Sequence, residues 1–203
     1  MRSLLICHLF IPLIFFSDRA NSWTLKTQKD GVTVYSRRSD LSKFNDLKVE
    51  MDLPGTVDQL TSILLDVEKY PQWAYCTKSA DVIKQIGKDE LVYYSEISAP
   101  WPLANRDLCA DIKVTRDSSM HSICLVSTGL KDFLPEKKGL VRVSRSTAAW
   151  MISTRSDKMI HLEYELEIDP GGALPAWIVN MFARKGPIET FSNLRKKMEL
   201  LNR

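Results

Sequence analysis

The 203-residue sequence lacks most of what enzyme signatures are made of. Its three histidines stand in no HxxxH or HExxH spacing, and its four cysteines form no CxxC pair, so the commonest ways of organising zinc are absent. There is no GxSxG elbow, no phosphate-cradling glycine loop and no dinucleotide fingerprint among its eight glycines. Excess charge of one sign is missing too: 28 Lys and Arg against 25 Asp and Glu leave +3, too near neutrality to suggest nucleic acid. Repeats, low-complexity tracts and internal linkers are lacking after the first two dozen residues. No catalytic residue, metal or cofactor is therefore expected.

What is present begins with a short apolar run. Leu4 to Phe16 is broken only by His8 and Pro12, follows Arg2, and leads to the small residues Ala20 and Ser22. That is the layout of a secretory signal peptide, expected to end at residue 22, and the run is shorter than the roughly 20 apolar residues of a membrane span. The mature protein, 23–203, is expected to be one exported domain, periplasmic or secreted. Export removes Cys7 and leaves Cys76, Cys109 and Cys124. The expectation is three reduced core residues, although an oxidising compartment would permit one bridge.

Periodicity supplies the architecture. VTVYSRR after Gly31 and LKVEMDL at 47–53 read as strands. Thr56 then caps a helix in which Val57, Leu60, Ile63, Leu64 and Val67 recur at helical spacing, with Pro71 expected to stop it. From Ser79 to Asp169 the runs ADVIKQI, LVYYSEIS, DLCADIKV, MHSICLVS, LVRVSRSTAAWMIST and MIHLEYELEI follow one another, most across short turns, as an antiparallel meander does. In the last, Ile160, Leu162, Tyr164, Leu166 and Ile168 share one face while His161, Glu163, Glu165 and Glu167 share the other.

A sheet with one wet face needs a cover for its dry one. The C-terminal segment offers a long helix with an apolar stripe of Trp177, Met181, Ile188, Phe191, Leu194, Met198 and Leu201. The fold class is α+β: a curved antiparallel sheet wrapped round a long C-terminal helix.

Particular stretches sharpen this. PWPLANRD at 100–107, VRV at 141–143, WMI at 150–152, DPGGALPAWIVN at 169–180 and GPIETFSNLR at 186–195 resemble the START domain, the lipid-transfer module of the helix-grip superfamily. The resemblance implies an apolar cavity between sheet and helix that binds, and transfers, one lipid or similar hydrophobic molecule without chemistry. A monomer that meets membrane surfaces transiently is expected.

Arg106 is the most informative residue. Counting by twos places it with Leu108, Ala110, Ile112 and Val114, as the one charge on the dry side of its strand. A buried guanidinium needs a partner: Glu96 on the preceding strand, Asp107, backbone carbonyls, or a ligand head group. In phospholipid-binding members of the family the matching arginine faces the head group. Sterol-binding members tend to carry a further buried arginine six positions on, where this chain has Ile112.

The expected cavity residues are accordingly Arg106 and Glu96, with Trp101, Leu108 and Ile112 near them. Trp150, Tyr164 and Leu166 are expected from the following strands, and Trp177 and Met181 from the helix. Phe133 and Leu134, in the TGLKDFLPEKKGL loop, are expected to plug the mouth or dip into a bilayer, with Lys131, Lys137 and Lys138 beside them. One alternative is an enzyme of the same fold, using Glu96 or Asp111 as cavity acids on a hydrophobic substrate. Another is an interaction module whose interior is filled.

Overall fold

The computed structural model describes residues 22–202, so the apolar run of the expected leader, with Cys7 and His8, lies outside the described residues. The elements are β1 (Thr24–Lys29), β2 (Val32–Arg38), β3 (Asn45–Pro54), α1 (Val57–Leu65), β4 (Thr77–Gly87), β5 (Glu90–Ile97) and β6 (Arg106–Asp117). They continue with β7 (Ser122–Gly129), β8 (Val141–Arg142), β9 (Arg145–Ser156), β10 (Met159–Asp169) and α2 (Ala176–Leu201). The sheet is curved and unclosed, in the order β1-β2-β3-β10-β9-β7-β6-β5-β4, with every neighbouring pair antiparallel. The expected meander is there, and β3 joins the N-terminal strands to its far side through β10.

Three boundaries differ from the sequence reading, each for a local reason. β1 was not anticipated, because five of its six residues are exposed and no alternation marks it. The run 140–154, read as one strand, is two: β8 pairs in parallel with β6, and the chain then turns at Val143–Ser144 to pair as β9 with β10 and β7. Helix α1 ends at Leu65 rather than Tyr70, and a 3-10 turn, Val67–Gln72, carries Pro71 inside it. The Tyr70 hydroxyl donates to the Leu64 carbonyl at 2.6 Å, taking an acceptor that a continuing helix would have used. The start of α1 is as expected: Thr56 accepts from the Gln59 amide and Gln59 accepts from the Thr56 amide, a complete capping box.

Helix α2 crosses the concave face. Its C-terminal half buries Phe191, Leu194 and Met198 in one cluster with Val32, Val34, Val49, Met51, Trp150 and Leu162. The ends of the expected stripe do not join it: Trp177 and Leu201 are exposed. The helix runs unbroken through Pro187, which is buried.

On the convex face the acidic row of β10 points outward as expected, interleaved with bases. Arg37 reaches Asp46 at 3.0 Å and Glu167 at 3.4 Å, Lys48 lies 3.9 Å from Glu163, and His161 meets Asp52 at 2.8 Å. Asp107 is the exception. Alternation puts it on the wet side, but its side chain is 1% exposed and held by both ends of the Arg142 guanidinium at 2.9 Å. The same guanidinium donates to the carbonyls of Lys131, Leu134 and Pro135 at 2.7, 3.0 and 3.2 Å. The loop between β7 and β8 is thereby tied down over the outside of β6. Cys76, Cys109 and Cys124 are free thiols.

Removing one member of a buried, fully hydrogen-bonded ion pair strands the other, at a cost of about 3–5 kcal/mol. Arg142→Met is expected to lower urea-unfolding stability by that order. Adding Asp107→Leu is expected to recover a large part of the loss, which a double-mutant cycle measures.

Candidate ligand cavity

The row of α2 that faces the sheet advances by fours. Ile178, Phe182, Gly186 and Thr190 form one line and Val179, Ala183, Pro187 and Phe191 the next, and these residues line two adjoining hollows. Several are small. Gly186 sits close to a ring: an added Cβ would lie 3.3 Å from Tyr75 Cδ1, so the tyrosine would have to give by a few tenths of an ångström. Small residues facing a broad concave sheet leave space, and the larger hollow has a volume of about 560 Å³ and the smaller about 240 Å³. The larger falls in the range of small-molecule sites, roughly 300–1,000 Å³. A filled interior, one of the alternatives read from the sequence, is thereby overturned. Leu47, Leu166 and Phe182 line both hollows and form the wall between them.

The smaller hollow is aromatic. Tyr70, Trp73, Tyr93, Trp150, Tyr164 and Phe191 surround it, with Trp150 and Tyr164 ring centroids 4.4 Å apart. Its polar groups are mostly satisfied: Tyr70 bonds the Leu64 carbonyl, and Tyr93 and Ser127 hydroxyls lie 3.3 Å apart. Trp73 Nε1 is buried without a partner among the described residues. Burial pushes the Tyr70, Tyr93 and Tyr164 hydroxyls above the ordinary tyrosine range.

Arg106 projects into the larger hollow, at the start of β6. It is 7% exposed, its Nη1 donates to the Ala104 carbonyl at 2.7 Å, and its Nε is buried with no hydrogen-bond partner among the described residues. Burial pulls its pKa down from the ordinary value with nothing opposing it. The ion pair with Glu96 is not formed. Register pairs Ile97 with Arg106 and Glu96 with Asp107, so Glu96 lies on the opposite face, where it bonds Lys78 and Asn105, each at 2.8 Å. Asp107 belongs to Arg142. Asp111, the other candidate acid, also faces outward and accepts from the Thr128 amide. Among the described residues no Asp or Glu lines either hollow.

Of the other expected residues, Ile112, Trp150, Tyr164 and Leu166 line the hollows. Leu108 is half-buried and packs against the core beside them without lining either. Trp101 is 91% exposed, because Pro100 and Pro102 carry it outward on the loop between β5 and β6. Phe133 and Leu134 do not plug the mouth. Arg142 binds the loop backbone on the outer side of β6, leaving Phe133 46% exposed and Leu134 half-buried away from both hollows. Trp177 and Met181 lie one helical step off the facing row, so Ile178 and Phe182 take their expected places. Tyr70, Trp73, Tyr93 and Phe182 were missed. The signal that could have found Phe182 is the four-residue spacing from Ile178, which the larger neighbours Trp177 and Met181 obscured.

A curved antiparallel sheet that grips a C-terminal helix around an apolar hollow, with one buried cation inside, defines a helix-grip protein built to enclose a guest. The START domain model matches residues 17–203, and the chain belongs to that family. An uncharacterized protein of Pseudomonas aeruginosa is 27% identical over 180 residues, covering 89% of this chain and 88% of that protein. Mouse phosphatidylcholine transfer protein is 27% identical over 170 residues, covering 81% of this chain and 78% of its own length. The crystal structure of a STAR-related lipid transfer protein from Xanthomonas axonopodis superposes with a TM-score of 0.79 at 26% identity, covering 87% of this chain and 98% of that one.

An unpaired buried charge is a stability liability that a neutral side chain of similar length removes. Arg106→Met is expected to hold or raise the melting temperature of lipid-free protein; a fall of several degrees would show that the guanidinium has an anionic partner within the protein. Tyr94 is pushed up to about 12 by burial and by Asp107, and Tyr75 to about 12 by burial and its bond to Cys76. Above pH 10 the unfolded chain releases these protons and the folded one retains them, so stability is expected to fall from pH 10 toward 12. Unfolding midpoints across that range, with tyrosinate absorbance recorded alongside, check it.

Proposed function

We propose that this chain is a non-catalytic lipid carrier whose guest lies in the space between sheet and α2, with its head group at Arg106. The single observation that carries the reading is the buried guanidinium with an unsatisfied Nε, facing a hollow of about 560 Å³. An apolar molecule with a hydrogen-bond acceptor at one end satisfies both: it fills the hollow and supplies the partner that the protein withholds. Family membership supports the reading, and so does the similarity to phosphatidylcholine transfer protein. The absence of cavity carboxylates among the described residues removes the acids that the enzyme alternative required.

The carrier is exported and monomeric, and it loads and unloads at a membrane surface. Trp101 suits that last step, since it is held out by flanking prolines two residues past Ala99, which lines the larger hollow. Tryptophan favours the interface between water and acyl chains.

Native mass spectrometry of protein purified from the host is expected to show a one-to-one adduct of lipid mass that denaturation releases. Uniformly empty protein that takes up nothing from vesicles of mixed lipids would overturn the carrier reading.

A further inference from the structure

Three cations and no carboxylate surround the larger hollow. Arg106 is inside, while Lys26 and Arg184 are exposed at its edge, and none has an ion-pair partner among the described residues. The uncharged polar residues on the same walls are Ser36, Asn45, Ser98 and Asn180, which can all donate hydrogen bonds. Several bases elsewhere on the sheet are paired: Arg37, Lys48, Arg116, Arg142 and Arg155 each meet a carboxylate within 4 Å. Around the larger hollow three cations therefore stand with no carboxylate on the same walls to balance them.

We infer that the cavity selects amphiphiles whose head group carries net negative charge, a phosphate monoester or a carboxylate, over zwitterionic ones. This deepens the carrier reading and rests on it. A head group that reaches Arg106 with one anionic oxygen satisfies the buried Nε, and further negative charge is drawn toward Lys26 and Arg184. A choline-bearing head group would bring its own cation into the same field. Quaternary ammonium is stabilised by aromatic faces or carboxylates. The larger hollow offers no carboxylate and only Phe44 and Phe182, and the other rings lie beyond the wall of Leu47, Leu166 and Phe182. The repulsion is therefore uncompensated where the head group rests.

The purified protein is incubated with vesicles holding equal amounts of phosphatidylcholine, phosphatidic acid, oleate and monoolein. The lipid that it carries off is identified by native mass spectrometry. The expected result is at least tenfold enrichment of phosphatidic acid or oleate over both phosphatidylcholine and monoolein; the first enriched alone assigns a phosphate, the second alone a carboxylate. In the double variant Lys26→Gln, Arg184→Gln, whose substitutions are at exposed positions, the enrichment is expected to shrink at least threefold while the circular dichroism spectrum is unchanged. Phosphatidylcholine or monoolein carried at parity, or enrichment that is indifferent to the double variant, overturns the inference and leaves the carrier standing. Protein that carries off none of the four overturns the carrier reading itself.

Discussion

One helix cannot fill the concave face of a sheet nine strands wide, and the rest of the structure follows from how that shortfall is distributed. The C-terminal half of α2 presents Phe191, Leu194 and Met198 and makes a dry core with β2, β3, β9 and β10. The preceding turns present Ala183 and Gly186 toward the sheet, and there the space stays open. Stability and function are thus divided along one helix: the half that packs holds the sheet curved, and the half that underpacks makes room for a guest. The void is a cost, because its lining forgoes dispersion contacts, and a bound apolar chain would restore them.

Two arginines, close together in the fold, show how one residue type serves opposite ends. Arg142 is paired with Asp107 and bonded to three loop carbonyls, so its charge is fully used in holding the β7–β8 loop against the outside of β6. Arg106, one residue before Asp107 and on the opposite face, keeps a buried donor unused. The alternation of a strand is what permits this: neighbours in sequence belong to different environments. The loop's fixed attachment to the convex side also explains why its apolar residues do not reach the cavity.

How much of this could be read from the residues depended on whether local pattern and tertiary role agreed. The β10 alternation, the Thr56 capping box and the inward direction of Arg106 were legible because period and turn chemistry alone decide them. Tyr164 and Leu166 followed from the same alternation, and Trp150 from the family resemblance. Strand β1 was not legible, since an edge strand with exposed side chains carries no burial signal. The α2 stripe was misread at its N-terminal end because side-chain size was allowed to outvote position: Trp177 and Met181 looked like core, while the facing row is built of Ile178, Phe182 and smaller residues. The Arg106–Glu96 pairing failed on register, which periodicity within a single strand cannot supply, and the burial of Asp107 depended on Arg142, 35 residues further along the chain.

The central claim is that Arg106 holds a donor in reserve for a guest. The most direct measurement is the ¹H–¹⁵N resonance of Arg106 Nε, recorded on protein stripped of lipid and again after loading. Loading is expected to shift that signal downfield and slow its exchange with water, while the Arg142 Nε signal stays where it is. An Arg106 signal that is indifferent to loading, with lipid demonstrably bound, would contradict the account.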